Sequence, residues 1–238
     1  EGFILNDQII QNEILKLTDW HTEDLYNSSD CEKIVFEYSR IFCDPERFAD
    51  DSKESMAKVG MGVLYNKTDD GRTMRIISSD LRERILNEFY FKHHSMLSRA
   101  VKYQLQTYGK ALILDCHSFP NTPLKRSVHK TIPRPDINIG TDNFHTPQNL
   151  IDISVEYFTG RNFTIGINYP FNGTIVPMKY YNKNPKVESI MLEINRKLYL
   201  KERSNEKSEQ YKITKWAVQE YINLLRNKLK SNDSTIHN

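Results

Sequence analysis

Cysteine is scarce in this chain, with only Cys31, Cys43 and Cys116 among 238 residues. They are odd in number, far apart and never in a Cys-x-x-Cys pair, which speaks against a sulfur-rich zinc site and fits a reduced, cytoplasmic setting. No apolar run approaches the roughly 20 residues that cross a bilayer, so no membrane association is expected. Charge of one sign is missing as well. The formal net charge is only +2, and no nucleic-acid surface is implied. There is no internal repeat, no long linker and no visible secretory leader, and the chain opens at Glu1 without a methionine, as a trimmed sequence would. GxSxG, P-loop, dinucleotide and HExxH patterns are all absent. Serine-hydrolase, nucleotide-hydrolysing and Rossmann readings therefore lack support, and a zinc enzyme would draw its ligands from separated segments. Asn-x-Ser/Thr sequons at Asn27, Asn66, Asn162, Asn172 and Asn232 are what an Asn-rich chain gives by chance.

What is present reads as one α/β domain spanning residues 1–238, with a mixed sheet flanked by helices and the site at strand ends. Helical spacing covers Asp7 to Leu17, Thr22 to Asn27, and a long stretch from Asp80 to Tyr108 between Ser79 as N-cap and Gly109 as stop. Strands are expected at Lys33 to Tyr38, Gly60 to Tyr65, Ala111 to Leu114, Phe163 to Asn168 and Ser189 to Ile194. The loops Asn121 to Pro147 and Pro170 to Pro185 are long enough to be functional. Residues 200–238 form a polar tail around an amphipathic helix from Tyr211 to Leu229, fraying from about Ser231.

Four constellations carry chemistry. His117, in Asp115-Cys-His-Ser118 after an apolar strand, is placed to bind metal, with Asp115 orienting it; the plain alternative is a buried histidine bonded to a carbonyl. Glu193 closes an apolar strand and is either a general base or half of an ion pair with Arg196. Arg40 and Arg47 could clamp a carboxylate, or belong to a surface cluster with Asp44, Glu46, Asp50 and Asp51. Asp142 and His145 follow Gly140 in a polar turn, where His145 could be a ligand or a transition-state donor, or could equally hold the loop. His93 and His94 lie mid-helix and read as structural, His129 sits in a basic loop, His237 in the tail, and His21 is isolated.

Taken in order, Thr18-Asp-Trp20, Ser39-Arg40, Cys43-Asp-Pro-Glu-Arg-Phe48, Gly60-Met-Gly-Val63, Asp115-Cys-His-Ser-Phe-Pro120, Arg134-Pro-Asp136, Gly140-Thr-Asp142, Phe144-His-Thr-Pro147, Asn168-Tyr-Pro-Phe171, Gly173-Thr174 and Glu193-Ile-Asn-Arg-Lys-Leu-Tyr199 resemble the successive blocks of the N-formylglutamate amidohydrolase family, over residues 19–199. Any one block is weak; this many in sequence is specific. The resemblance implies a three-layer α/β/α domain with a mixed central sheet, like that of the zinc carboxypeptidases (phosphorylase/hydrolase-like). It implies one Zn²⁺ held by His117 and a carboxylate, with Asp19 the better match and Glu1 a weaker one. It implies Glu193 as general base and Arg47, helped by Arg40, as carboxylate binder; Asn168, Asp142, His145 and Arg196 fall in the same blocks as substrate-contacting candidates. The family opens with a Pro-His-Ser-type segment whose histidine is a metal ligand, and no histidine in the first 20 residues here replaces it. The implied reaction is hydrolysis of N-formyl-L-glutamate to formate and glutamate. The rivals are a zinc peptidase or cell-wall amidase on the same scaffold, and a binding module that has lost its metal.

Overall fold

The computed structural model describes residues 1–233, with side chains through residue 228. Its elements run α1 (Asp7–Leu17), α2 (Thr22–Leu25), α3 (Ser79–Ile85), α4 (Phe91–Tyr108), β1 (Ala111–Phe119), β2 (Ile137–Gly140), α5 (Gln148–Thr159), β3 (Ile165–Ile167), β4 (Val187–Asn195) and α6 (Tyr211–Asp233). The sheet order is β1-β4-β2-β3. β1 runs parallel to β4 and β2 parallel to β3, but β2 is antiparallel to β4, so the sheet is mixed as expected.

Alternation along the strands sorts the side chains into two faces. Leu114 pairs with Ile190, Cys116 with Leu192, and Ile139 with Leu192. These residues, with Ile137 and Ile194, pack into the main core against Tyr26 just after α2, Tyr157 and Phe158 of α5, and Val218 and Tyr221 of α6. Each fully buried Leu or Ile there contributes about 1.5–3 kcal/mol. On the opposite face Ala111, Ile113 and Val187 meet Val101 and Leu105 of α4. Helices thus cover both faces. Further along that second face the side chains turn polar, at Asp115, His117, Glu193 and Asn138.

Several elements depart from the sequence reading. The long helix is interrupted by a π-turn at Leu86–Tyr90, and its N-cap is Ser78, whose Oγ accepts from Leu81 N–H at 3.2 Å, rather than Ser79. Gly109 ends α4 in a left-handed conformation, as expected. β1 extends to Phe119, so His117 stands inside the strand rather than beyond it. The apolar run Gly60 to Tyr65 is no strand; Met61, Val63, Leu64 and Tyr65 are buried in turns, with Met61 N–H bonded to Met56 O and Asn66 N–H to Gly60 O. Nor is Lys33 to Tyr38 a strand. Its aromatic residues stack on helical neighbours instead, Phe36 on His93 at 5.3 Å and Tyr38 on Phe89 at 4.7 Å. β2 and α5, by contrast, are elements that periodicity did not reveal. At the far end α6 continues helical through Asp233, past the expected fraying point, and His237 lies outside the described residues.

Candidate active site

His117 and Glu193 are partners in the β1–β4 register, on neighbouring strands about 4.8 Å apart with side chains on the same face. Glu193 is 7% exposed, and its Oε2 has no hydrogen-bond partner. Burial pushes its carboxyl up to about 7; Asp19 adds to the shift, while His117, Arg40 and Arg196 oppose it. The ion pair that would make Glu193 structural is not formed. Arg196 instead donates to Ser118 Oγ at 3.1 Å, Lys16 O at 2.6 Å and Asp19 Oδ1 at 3.2 Å.

Both nitrogens of His117 face carboxylates. Nε2 lies 2.9 Å from Asp115 Oδ1, and Nδ1 lies 3.3 Å from Asp19 Oδ2. Asp115 is itself fixed, its Oδ2 accepting from Ile175 N–H at 2.9 Å. Burial alone would lower the pKa of the imidazolium, yet Asp115, Asp19 and Glu46 together raise it well above its ordinary value. Asp19 sits at the centre of the site. Its Oδ1 accepts from Ser118 N–H and Oγ–H, and its Oδ2 from Arg40 at 2.5 Å. Burial would raise its pKa, but Arg40, His117 and Arg196 hold it well below the usual carboxylate range.

The loop after Ser39 closes the site from the other side. Asp44 organises it: its backbone N–H bonds Val63 O, its Oδ1 accepts from Glu46 N–H, and its Oδ2 from the Tyr65 hydroxyl. This brings Glu46 Oε1 to 4.0 Å from His117 Nε2. Enclosure by the site and then the charge of Asp115 push the Glu46 carboxyl up to about 8, although the side chain keeps 27% exposure at the rim. Arg47 lies 3.5 Å from Asp44 and 3.7 Å from Glu54, and its Nε is buried without a hydrogen bond. Asp19 also borders an open cleft of about 670 Å³ between α2 and residues 33–37. A second cleft, of about 320 Å³, lies at α3 and holds none of these residues.

The donor atoms around His117 could hold a metal ion. Two ligands of tetrahedral zinc stand about 3.3 Å apart, given bonds of about 2.0–2.1 Å, which matches the Asp19 Oδ2 to His117 Nδ1 separation of 3.3 Å. A ligating histidine usually donates its other N–H to a carboxylate, and Asp115 meets Nε2 in that way. On the Nε2 side, Glu46, Asp115 and His117 also bring their ligand atoms within 4.8 Å of one another.

Other sequence candidates lie elsewhere. Because β2 is antiparallel to β4, the turn after β2 opens at the opposite end of the sheet from His117 and Glu193. His145 is 1% exposed there: Nδ1 meets Val187 O at 2.7 Å, and Nε2 accepts from Asn182 N–H at 2.9 Å. Both ring nitrogens are committed, and Val187 is six residues, roughly 20 Å, from Glu193 along β4. Asp142 Oδ1 accepts the N–H groups of Phe144 and His145, an Asx turn. Asn168, with φ 52°, accepts from Thr141 N–H and donates to Thr141 Oγ1. Asn168 thus ties the end of β3 to the end of β2, Asp142 shapes the turn after β2, and His145 joins that turn to the start of β4. Sequence reasoning passed over Glu46, counting it with surface charges; nothing in Cys43-Asp-Pro-Glu46 itself shows that Asp44 and Pro45 are buried and turn this loop inward.

The sequence profile of the N-formylglutamate amidohydrolase family matches residues 4–200. The chain is 24% identical over 200 residues to an N-formylglutamate deformylase of Pseudomonas putida, covering 78% of this chain and 71% of that protein. Its fold is similar to that of an N-formylglutamate amidohydrolase from Ralstonia eutropha, with a TM-score of 0.80 at 18% identity over 97% of this chain and 89% of the other. A gene product of Agrobacterium tumefaciens is also similar, with a TM-score of 0.53 at 17% identity, covering 79% and 69% of the two chains. With most of its length matched by the profile, the chain belongs to the N-formylglutamate amidohydrolase family.

Proposed function

We propose that this chain hydrolyses the amide of an N-acyl amino acid, N-formyl-L-glutamate foremost, to formate and glutamate, with one zinc ion held by His117 Nδ1 and Asp19 Oδ2. The observation that carries this reading is the buried, unpartnered Oε2 of Glu193 on the strand neighbour of His117. When bound, the ion would acidify a water and polarise the acyl oxygen. Glu193 accepts the water proton at Oε2 and returns it to the leaving nitrogen, a task suited to a buried carboxylate with a free oxygen. Asp115 keeps the His117 ring oriented, and Ser118 and Arg196 hold Asp19. Arg47, with Arg40 beside it, offers cationic donors for the substrate carboxylate.

Replacing Glu193 with Gln preserves shape but removes the proton acceptor. We expect kcat to fall about 10²–10⁴-fold while zinc stoichiometry and melting temperature stay near wild type. A fully active, zinc-loaded Glu193→Gln protein would falsify the general-base role. Removing metal with a chelator should abolish turnover and added zinc should restore it; activity that survives complete metal removal sinks the zinc reading. A panel of N-acyl amino acids and short peptides separates this activity from that of a peptidase or amidase.

A further inference from the structure

The π-turn at Leu86–Tyr90 lies between three side chains that share one task. In an unbroken α-helix, Arg82, Tyr90 and His94 would spread over roughly 120° around the axis. The π-turn, closed by Phe91 N–H on Leu86 O, absorbs one extra residue. That resets the phase, and the three positions fall within about 40° of one another. All three then donate to alternate carbonyls of one short segment. Arg82 Nη2 meets Ala49 O at 2.6 Å, the Tyr90 hydroxyl meets Arg47 O at 2.8 Å, and His94 Nε2 meets Pro45 O at 2.9 Å. A carbonyl partner makes Nε2 the protonated nitrogen of His94. Arg82 is paired in turn with Asp51 at 2.8 Å, and the rings of Tyr90 and His94 pack with centroids 4.3 Å apart.

The segment so gripped carries Glu46 and Arg47. The carbonyls of Pro45 and Arg47 bracket these two residues, so the backbone that aims both side chains is fixed from the helix side. Glu46 reaches to 4.0 Å from His117 Nε2, and Arg47 lies beside Asp44 and Glu54. Other contacts are local to the loop: Asp44 Oδ1 accepts from Glu46 N–H, and Glu54 Oε2 from Phe48 N–H. Those contacts shape the turn. The helix ties it to the sheet, because Val101 and Leu105 of α4 pack on Ala111 and Ile113 of β1, the strand that carries His117. A binding group displaced by about 1 Å through a remote change can cost about 10²-fold in rate, so such a tie bears on function.

Resting on the amidohydrolase reading above, we propose that Tyr90 and His94 are positioning residues for substrate binding. They hold the Glu46–Arg47 segment against the strand that carries His117, and the π-turn is the device that brings them into register. Each acts through a backbone carbonyl and hence through the aim of Arg47, so its effect belongs in KM. A role in stability alone would lower the melting temperature and leave KM of the folded protein unchanged.

The test uses the zinc-loaded full chain and N-formyl-L-glutamate. Tyr90→Phe and His94→Leu remove the donors, while His94→Gln keeps an N–H near the place of Nε2. KM should rise about tenfold or more in Tyr90→Phe and His94→Leu, with kcat within about threefold of wild type, and His94→Gln should recover most of the loss. In the Arg47→Lys background, Tyr90→Phe should add no more than about twofold, because the fork it aims is already gone. Amide exchange at Glu46 and Phe48 should quicken about tenfold in the same variants. If KM stays within about twofold of wild type in folded Tyr90→Phe and His94→Leu, the proposal is wrong; a fully additive effect in the Arg47→Lys background overturns it too. Should His94→Leu fail to fold, Tyr90→Phe, which loses a single oxygen, decides alone. Failure of the underlying reading looks different: the wild type then hydrolyses no N-acyl amino acid, while exchange at Glu46 and Phe48 still reports on the grip, and unchanged exchange in the variants overturns it.

Discussion

At the scale of single residues, His117 and Glu193 were legible because a polar group inside an apolar strand needs a reason to be there. Their partners were not legible. Which carboxylate meets His117, and whether Arg196 pairs with Glu193 or with Asp19, depends on contacts between segments nearly 100 residues or more apart, such as the Asp19–His117 contact across 98 positions. Two expectations follow. Asp115→Asn keeps the shape but weakens the acceptor that orients the ring, so zinc affinity should drop about 10–100-fold; competition with a chromophoric chelator measures it, and an unchanged affinity would remove Asp115 from the site. His145→Ala strips a buried ring bonded to Val187 O and Asn182 N–H. It should cost roughly 1–3 kcal/mol in urea melts with KM for N-formylglutamate near wild type. A large rise in KM at unchanged stability would instead return His145 to substrate binding.

At the scale of elements, long periodic segments were readable and short ones were not. α1, α4, α6 and the cores of β1 and β4 carry enough apolar repeats to announce themselves. β2 has only four residues, and its alternation begins inside a Pro- and Asn-rich stretch. Gly60 to Tyr65 shows the converse, being apolar enough for a strand but folded into turns, its backbone bonded to Met56 O, Ala57 O, Asn66 N–H and Asp44 N–H rather than to a strand. Packing between elements also fixes the site. Tyr26, just after α2, sends its hydroxyl to Leu192 O at 2.6 Å and His117 O at 3.1 Å, bridging β4 and β1 at the level of the candidate chemistry. Tyr26→Phe should therefore cost about 0.5–1.5 kcal/mol in stability and lower kcat more than it raises KM, because it loosens the strand pair and not the arginines. Equal effects on both constants, or none, would show that the bridge only holds α2 in place.

At the scale of the whole molecule, 33 basic and 31 acidic residues nearly cancel, so overall charge gives little pH response and the crowded site dominates it. In the metal-free protein, burial holds the Glu193 carboxyl at about 7; the Glu46 carboxyl is pushed up to about 8, but it is open to solvent at the rim and its share of the pH response is correspondingly small. Both groups would be ionised in the unfolded chain at neutral pH, so the native state binds more protons between the ordinary carboxylate range and pH of about 8. Stability must then fall as pH rises through that window. His117 acts in the same direction, because its raised pKa contributes stability below its ordinary value that is lost as pH climbs through the folded one. Asp19 acts oppositely and only in acid, since its depressed pKa contributes stability that disappears as pH falls below the ordinary aspartate value. Chelator-treated protein should therefore be most stable near about pH 5 and lose on the order of a few kcal/mol by about pH 8, at roughly 1.4 kcal/mol per proton per pH unit. Zinc should reverse the trend, because its ligands bind in their deprotonated forms and affinity rises with pH. Urea melts across this range, with chelator and with zinc, test both slopes. Metal-free stability that climbs steadily from pH of about 5 to 8 would mean that Glu193 and Glu46 ionise freely in the folded protein, and that the metal-free site does not hold its carboxyls protonated at neutral pH.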